Sequence, residues 1–217
     1  MCALDCDGVD DEIDHGDIAG LDLAANLTVM CWLNADALNA SEGILGKNLQ
    51  GYFYLSTPVD QMAAGQSGVW EKLTAAGTLV TAAWAHWTFA YDGSLAAAAR
   101  VAIYKNAVSL ALTGTDAGAT LSDQGAAGVE VGGGLGIVAG FLDAKIALVK
   151  IWTATLTAAE IAQEMEHYRP IRTADLVLWA PYDDGTFARD YSGQANHGTV
   201  TGALQIIGPP VAYGGDH

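Results

Sequence analysis

Short segments in which apolar and polar residues alternate recur along most of the chain. Clear examples are residues 26–36 (NLTVMCWLNAD) and residues 51–57 (GYFYLST), the second of which is closed by Pro58. Successive side chains of a β-strand point to opposite faces of a sheet, so this alternation is typical of strands with one buried face. Further strands are predicted in GVWEKLTAAG, TLVTAAWAHWTFAYDGS, GVEVGGG, AKIALVKIWTATL, ADLVLWAPY and LQII, and a hairpin in RVAIYKNAVSLALTG around Lys105, Asn106 and Ala107. Turn residues separate these segments at the spacing of a β-sandwich, and we predict an all-β fold of that kind.

One segment breaks this pattern and predicts a short helix over residues 157–169. Thr157, followed three residues later by Glu160, forms a capping box at its start. Ile161 and Met165, with Leu156 before them, form an apolar stripe at helical spacing. Pro170 ends the helix because proline cannot continue its hydrogen bonding.

The domain organisation predicted from the sequence is simple. No linker-like segment and no exact repeat divides the chain. We therefore expect residues 1–217 to form a single domain, in which the segment 174–217, after the helix, completes the sandwich.

The charge of the chain is strongly acidic, with 25 acidic against 9 basic residues and a formal net charge of -16. Such a surface repels the phosphate backbone of nucleic acids, so we expect no nucleic-acid partner. The opening residues MCALDCDGVDD lack the basic and apolar regions of a signal peptide, and no apolar run approaches the roughly 20 residues of a membrane span. We expect synthesis in the cytoplasm and no association with a membrane.

Three cysteines are present, Cys2, Cys6 and Cys31. On one extended strand Cys2 and Cys6 would lie about 13 Å apart, which is too far for a disulfide. Either could pair with Cys31 if their strands are neighbours, and the remaining thiol near the terminus could cross-link to another chain. Three reduced cysteines acting as small apolar residues are the favoured alternative.

The order of several motifs resembles the laminin-G-like group of the concanavalin A-like lectin/glucanase superfamily. The motifs are ALDCDGVDDEID, NLTVMCWLNAD, WAHWTFAYDGS followed by VAIYKNAV, GVEVGGG, AKIALVKIWTATLTAAEI and LVLWAPYDDGTFARDYSGQANHGTV. Together they cover nearly the whole chain. The resemblance implies a jelly-roll sandwich of two antiparallel sheets, and it implies that ALDCDGVDDEID is a hairpin with residues 7–11 as its turn. Asp and Gly suit such a turn because Asp caps its own backbone and Gly accepts positive φ.

The stretch of residues 5–17 (DCDGVDDEIDHGD) holds seven carboxylates in thirteen residues. Its spacing fails the EF-hand pattern, because Val9 stands at a ligand position and the glycine comes too early. A calcium site of another kind, in which Asp7, Asp10 or Asp11 acts together with a distant loop, stays open.

The resemblance also bears on calcium at a second place. Some superfamily members bind calcium through an acidic pair, and the corresponding positions of this chain hold Ala147 and Leu148, with Ala144 in place of the preceding glycine. This departure removes carboxylates that a family-type metal site would use. We assign no metal ligands and expect no cofactor.

Two candidate catalytic patterns are weak. Glu12, Asp14 and Asp17 approach the E-x-D-x-x-E of superfamily glucanases, but Asp17 is one methylene too short and Gly16 indicates that the strand has ended. Residues 134–139 (GLGIVA) match a dinucleotide-binding pattern, yet the residues that follow alternate like a strand rather than a helix. No other catalytic motif is present, and we predict that the protein is not an enzyme.

The six tryptophans could stack on sugar rings if their side chains were exposed. Trp84 and Trp87 point to opposite faces of one predicted strand, so at least one of them is expected in the core. We favour a core position for most of the six. The histidines are scattered, and His86 is expected on a sheet face rather than as a catalytic base.

The expected function is that of a non-catalytic structural module on the surface of a virus particle, such as a phage capsid decoration or tail component. This expectation rests on the resemblance, because laminin-G-like sandwiches occur widely in structural proteins of tailed bacteriophages. The expected partners are a capsid or tail protein and further copies of the chain, in a virion made in the host cytoplasm. The alternative is a carbohydrate-binding, lectin-like domain that binds a glycan, with or without calcium.

Overall fold

The computed structural model describes residues 1–39, 41–55, 60–183 and 187–211. Its one α-helix is α1 (Ala158–Glu166). Its strands in chain order are β1 (Cys2–Asp7), β2 (Glu12–Asp14), β3 (Asn26–Ala35), β4 (Gly43–Lys47), β5 (Gln50–Leu55), β6 (Met62–Gln66), β7 (Trp70–Leu73), β8 (Ala85–Asp92), β9 (Val101–Lys105), β10 (Val108–Ser109), β11 (Thr113–Gly114), β12 (Val129–Val131), β13 (Asp143–Trp152), β14 (Leu176–Ala180), β15 (Phe187–Ala188), β16 (Gly198–Thr201) and β17 (Leu204–Ile207).

These strands form two antiparallel sheets that pack face to face. Sheet A has eight strands in the order β10-β9-β8-β3-β13-β1-β17, with β14 paired to the second half of β13. Sheet B has nine strands in the order β11-β7-β6-β5-β4-β12-β2-β16-β15. The predicted all-β sandwich of two antiparallel sheets with one short helix is confirmed.

The core lies between the two sheets and is filled by alternate side chains of the central strands. On β3 the inward residues are Leu27, Val29, Cys31 and Leu33, and on β8 they are Trp87, Phe89 and Tyr91. Burying one large apolar side chain of this kind contributes about 1.5–3 kcal/mol. The alternation that identifies these strands in the sequence is therefore also what holds the two sheets together.

The outer face of sheet A is covered by α1 and its flanking segments. Met30 of β3 and Trp152 of β13 pack there against Ile161 of the helix. The helix starts at the predicted capping box: the Thr157 side chain accepts a hydrogen bond from the Glu160 backbone, and the Glu160 carboxylate accepts one from the Thr157 backbone.

The helix is shorter than predicted. It ends at Glu166 instead of residue 169, and His167 is already extended, with φ -115° and ψ 130°. The Lys150 side chain of sheet A donates hydrogen bonds to the carbonyls of both Glu164 and His167. This tertiary contact satisfies two carbonyls at the C-terminal end of the helix, which stops four residues before Pro170.

The predicted N-terminal hairpin is wrong, although the turn at residues 7–11 exists. β1 pairs with β13 and β17 in sheet A, whereas β2 pairs with β12 and β16 in sheet B. The turn is thus a corner that carries the chain from one sheet to the other. Leu4 and Ile13 both face the core, but from opposite sheets. Alternation within two short strands does not distinguish a hairpin from such a crossing.

The hairpin around residues 105–107 is confirmed, because β9 and β10 pair across a two-residue turn. Asn106 and Ala107 both have positive φ, 50° and 61°, as a turn that follows the twist of the strands requires. The strand predicted from residue 78 begins only at Ala85. Residues 56 and 57 of the predicted strand 51–57 lie outside the described residues.

Four strands of sheet B have no counterpart among the predicted ones: β4, β6, β15 and β16. β4 reads GILGK and β6 reads MAAGQ, and neither shows alternation of apolar and polar residues. Both β4 and β6 are almost completely buried on both faces. Neither face has to be polar, so the sequence does not alternate.

The segment predicted to complete the sandwich, residues 174–217, contributes to both sheets. β14 and β17 belong to sheet A, and β15 and β16 belong to sheet B. Residues 184–186 and 212–217 of this segment lie outside the described residues. In the part of the chain that is described, the helix is too short to cross a membrane.

Candidate functional site

The corner between β1 and β2 brings three carboxylates together. Asp7, Asp10 and Asp11 each offer an oxygen atom, and these atoms all lie within 4.8 Å of one another. The Asp7 carboxylate accepts the backbone N–H of Val9 at 2.9 Å, and Asp11 accepts that of Asp7 at 2.9 Å. Gly8, at φ 78°, allows the chain to turn so tightly.

A cleft of about 460 Å³ opens beside this corner. Asp5 and Asp7 of β1, Asp11, Asp36 and Asp143 all line it, together with Cys6. Lys145 forms ion pairs with two of these residues, Asp5 at 3.6 Å and Asp36 at shorter range. We call this surface the acidic cleft.

Burial and mutual repulsion disfavour the charged form of two carboxylates in the acidic cleft. Burial raises the pKa of Asp11, and the nearby carboxylates of Asp7, Asp10 and Asp5 raise it further, although the hydrogen bond from Asp7 opposes this. Burial and Asp36 likewise raise the pKa of Asp143. Oxygen ligands of this type suit a divalent cation such as calcium, so the residues fit the ion by chemistry.

The positions that hold an acidic pair in calcium-binding superfamily members are not part of this cleft. Ala147 and Leu148 are buried on the outer face of sheet A, among Trp32, Tyr168 and Trp179. Leu148 has φ 51° and lies in a bulge of β13. The lack of carboxylates at positions 147 and 148 therefore does not affect the carboxylates at residues 7–11.

The candidate glucanase carboxylates are separated by the fold. Glu12 and Asp14 lie on the outward face of β2, but Asp17 forms an ion pair with the buried Lys47 at 2.8 Å. The residue beside Asp14 is instead Glu130 of β12, which pairs with it in register. Burial raises the pKa of Glu130, and Asp14 and Glu12 add to this effect. Sequence reasoning missed Glu130 because the pairing of β2 with β12 was not known.

The glycine-rich segment after β12 is a loop, as the sequence indicated, and it lies over the outer face of sheet B. A methyl group on Gly46 would come within 2.8 Å of the Leu135 side chain. One on Gly51 would come within 2.5 Å of the Tyr54 ring and 3.3 Å of Ile137. Glycines in sheet B thus make room for this loop and for Tyr54.

A second cleft, of about 500 Å³, lies on this outer face between the loop and the β6–β7 hairpin. We call it the sheet B cleft. Its polar lining residues are Ser41, Gln66, Ser67, Glu71 and Thr115, and its other lining residues are Tyr54, Leu55, Gly68, Val69, Trp70, Ile137 and Val138.

One hydrogen bond fixes the wall of the sheet B cleft. The Tyr54 hydroxyl donates to Glu71 Oε1 at 2.7 Å, and burial together with Glu71 raises the pKa of Tyr54. Thr115 accepts the backbone N–H of Glu71 at 3.1 Å. Glu71 is the one charged side chain among the described lining residues. Sequence reasoning missed this cleft because its lining residues come from five separate segments of the chain.

Only Trp70 and Trp87 lie in the core between the sheets, and Trp152 is buried under α1 on the outer face of sheet A, so the expected core position for most of the six tryptophans is wrong. Trp70, Trp87 and Trp152 are buried, which confirms the expectation that Trp84 or Trp87 would be a core residue. Trp32, Trp84 and Trp179 are partly exposed on the outer face of sheet A, where Trp179 contacts Tyr168 and Tyr191.

The histidines and cysteines show no catalytic pairing among the described residues. His86 is buried on a sheet face, as expected, and burial lowers its pKa to about 3. All three cysteines are free, with Cys6 and Cys31 buried and Cys2 half-buried. Cys6 cannot reach Cys31 because β13 lies between β1 and β3.

Comparison with protein families matches residues 7–162 to Laminin_G_3, the family of concanavalin A-like lectins and glucanases. None of the curated proteins compared matches the chain.

Among solved structures, a candidate carbohydrate-binding protein from Bacteroides ovatus matches with a TM-score of 0.73 and 18% identity. The match covers 98% of this chain and 61% of that protein, so the chain spans less than two thirds of its length. The arabinotriose complex of domain 4 of AbnA, an arabinanase from Geobacillus stearothermophilus, matches with a TM-score of 0.48 and 16% identity over 66% of this chain and 68% of that one. At 18% identity, the match to the Bacteroides ovatus protein shows a shared fold and nothing more. The match to the arabinanase domain is weaker still.

Proposed function

The chain belongs to the concanavalin A-like lectin/glucanase superfamily, and from that premise we propose that it is a non-catalytic carbohydrate-binding module. The observation that carries the proposal is the sheet B cleft. Ligand clefts of 300–1,000 Å³ that combine an apolar surface with a few fixed polar groups are the usual form of small-molecule sites. The similar protein from Bacteroides ovatus is itself a candidate for carbohydrate binding, which supports the choice of ligand class.

The lining of the cleft favours a neutral glycan. Hydroxyl groups of Ser41, Ser67 and Thr115 and the amide of Gln66 both donate and accept hydrogen bonds, as sugar hydroxyls require. Ile137 and Val138 offer apolar surface to the C–H face of a sugar ring. Since the net charge is -16, acidic sugars would be repelled before they reach the cleft.

A glycan panel screened with the purified chain tests the proposal. We expect at least one neutral oligosaccharide to bind, and Gln66→Ala to weaken its binding about tenfold, the scale of one lost hydrogen bond in a desolvated site. Thr199→Ala is the matched control, because Thr199 is an exposed residue of β16 on the same sheet. Unchanged binding by the Gln66 variant, or no binding to any neutral glycan, would contradict the proposal.

Two further measurements belong to the same experiment. Repeating it with calcium and with a chelator shows whether binding depends on the acidic cleft. Recovering the bound glycan intact supports a non-catalytic module, whereas cleavage would overturn that part of the proposal. Glu12→Gln and Glu130→Gln would then identify the carboxylates responsible.

A second candidate function is a structural module on the surface of a phage particle, docked on a capsid or tail protein. The observation that favours it is the exposed strand β17, in which Leu204 and Ile207 are 71% and 89% exposed. Exposed apolar edges of this kind serve as contact surfaces between chains. Sequencing the DNA that flanks the gene tests it: neighbours that encode a capsid, portal or tail protein support it, and polysaccharide enzymes contradict it. Detection of the protein on purified particles is the second test.

A further inference from the structure

A row of glycines crosses sheet B next to the sheet B cleft. Gly46 of β4 pairs in register with Gly51 of β5, and Gly51 pairs with Gly65 of β6. Cross-strand partners lie side by side on one face of a sheet, so these strands carry no side chain along the row. The next position, on β7, is Glu71, which pairs with Gly65. The glycine row is therefore a trough in the outer face of sheet B that ends at Glu71.

The Tyr54 side chain fills part of this trough. A Cβ on Gly51 would lie 2.5 Å from the Tyr54 ring, and a Cβ on Gly65 would lie 2.8 Å from its hydroxyl. The side chain thus extends past both glycines toward β7, where its hydroxyl donates to Glu71 Oε1 at 2.7 Å. A larger residue at position 51 or 65 would displace the ring and break this contact.

The backbone of Glu71 is fixed as well. Its N–H donates to Thr115 Oγ1 at 3.1 Å, and the neighbouring Lys72 forms an ion pair with Asp116 at 2.6 Å. A side chain that is already held at its backbone and at one carboxylate oxygen loses little conformational freedom when it binds a ligand. The Glu71 carboxylate is therefore preorganised at the cleft.

Burial separates the roles of the two residues. Tyr54 is 3% exposed and offers almost no surface to a ligand, whereas Glu71 is half-buried and lines the cleft. An ionised carboxylate only accepts hydrogen bonds, so a ligand that contacts Glu71 must donate to it. Each free hydroxyl of a sugar is such a donor, and hydrogen bonds to charged groups are the stronger kind.

We propose that Glu71 determines which glycan the sheet B cleft binds, by accepting a hydrogen bond from one sugar hydroxyl, and that Tyr54 positions its carboxylate. The cleft selects a ring with a free hydroxyl at the contacting position. It rejects a ring in which that hydroxyl is methylated or absent, because the carboxylate then loses water without gaining a donor. This inference rests on the proposed function, since it names the specificity-determining residue of the same cleft.

Calorimetric titration tests the role of Glu71. The probes are neutral trisaccharides of glucose, mannose, galactose, xylose and arabinose, followed by the monodeoxy and mono-O-methyl analogues of the tightest binder. We expect one deoxy analogue to bind the parent at least about tenfold more weakly than the full trisaccharide, the scale of one lost hydrogen bond to a charged group. Glu71→Ala should bind that analogue and the full trisaccharide within about twofold of each other, since the acceptor is gone from both complexes.

Glu166→Ala is the matched control for this variant. It also removes one negative charge, but from an exposed position of α1 on the other side of the sandwich, and should discriminate between the two ligands as the parent does.

A second variant tests the positioning by Tyr54. Tyr54→Phe keeps the ring and removes only the hydroxyl that holds Glu71. We expect it to weaken binding of the full trisaccharide about three- to tenfold, and to have no further effect when position 71 is already alanine. A merely structural role of Tyr54 would weaken binding in both backgrounds. Tyr104→Phe, on β9 of sheet A, is the control and should leave binding unchanged.

The outcomes separate this inference from the proposed function. If Gln66→Ala weakens binding but Glu71→Ala discriminates between the ligands as the parent does, the cleft binds glycans and the role of Glu71 is overturned. An equal effect of Tyr54→Phe in both backgrounds overturns its positioning role. If none of the trisaccharides binds the parent, the proposed function and this inference fail together.

Discussion

Lys150 of β13 and Glu164 of α1 form an ion pair at 2.8 Å in which both side chains are almost completely buried. The Lys150 ammonium also donates to the carbonyls of Glu164 and His167, which uses all three of its hydrogens. The second carboxylate oxygen of Glu164 accepts the N–H groups of Ile171 and Arg172. This pair therefore joins sheet A, the helix and the segment that follows the helix.

Glu164→Gln should lower the free energy of unfolding by about 3–5 kcal/mol, because it leaves a buried ammonium without its counter-charge. Urea unfolding measures the effect, and Glu166→Gln, at an exposed position of the same helix, should stay within about 0.5 kcal/mol of the parent. The double variant Lys150→Met/Glu164→Leu should recover most of the loss. A single variant as stable as the parent would show that Lys150 is solvated or neutral.

Asp190 organises the turn that covers β14, and its removal should be similarly costly. The side chain is 4% exposed and accepts hydrogen bonds from the backbones of Trp179, Ser192 and Asn196 and from the Ser192 hydroxyl. We expect Asp190→Ala to destabilise the protein by about 2–4 kcal/mol in urea unfolding. Asp123→Ala, which removes an exposed carboxylate that accepts one backbone hydrogen bond, is the control and should cost less than half as much. Equal losses in the two variants would contradict the special role of Asp190.

Gly202 tests how tightly the acidic corner is packed. Its φ is 74°, and a Cβ at this position would lie 1.8 Å from the buried Asp11 carboxylate. Gly77 has nearly the same φ, 75°, with open space around it. Both alanine variants carry the cost of positive φ, about 1–2 kcal/mol. Gly202→Ala should cost at least about 1 kcal/mol more in thermal or urea unfolding, because Asp11 must move. Matching stabilities would show that the corner adjusts freely.

The sequence predicts well those features that depend on neighbours along the chain. The alternation of β3 reflects which side chains face sheet B, and Thr157 with Glu160 marks the start of α1, since capping acts over three residues. Features that depend on residues far away in the sequence cannot be predicted from such local patterns. β1 and β2 look like a hairpin because nothing in them indicates that β13 and β12 are their partners.

The candidate sites follow the same division. The cluster of Asp7, Asp10 and Asp11 is visible in the sequence because its members are adjacent. The sheet B cleft is not, since Tyr54, Glu71 and Thr115 come together only through the pairing of β5, β6, β7 and β11. The donor to the carbonyls at the end of α1 is likewise distant in sequence, since it is Lys150 of the sheet beneath the helix.

The buried His86 makes stability depend on pH. Burial lowers its pKa from 6.5 to about 3, so below pH 6.5 the unfolded chain binds a proton that the folded protein does not. Stability from this residue is present above pH 6.5 and is lost progressively down to about pH 3, by up to 1.36 kcal/mol for each pH unit.

Comparison of variants isolates this contribution. We expect His86→Leu to flatten the loss of stability between pH 6.5 and pH 4, measured by urea unfolding at each pH. Thr88→Val is the control: Thr88 is equally buried on the same face of β8 with an unpaired hydroxyl, and its replacement changes packing but no titration. If the slopes of the His86 variant and the parent coincide, His86 is not responsible.

Asp143 provides the opposite sign of pH dependence. Its pKa is raised by burial and by Asp36, so the folded protein holds a proton there more tightly than the unfolded chain does. The carboxylate therefore costs stability above its folded pKa, and this cost disappears as the pH falls below its unfolded value. In metal-free buffer, Asp143→Asn should raise the stability at pH 7 by up to about 1 kcal/mol and leave it unchanged near pH 3. Asp123→Asn, far along the chain in an exposed turn, should show no such difference between the two pH values. A loss of stability at pH 7 would mean that Asp143 is held by a favourable contact, and that the acidic cleft is balanced by more positive charge than Lys145 supplies.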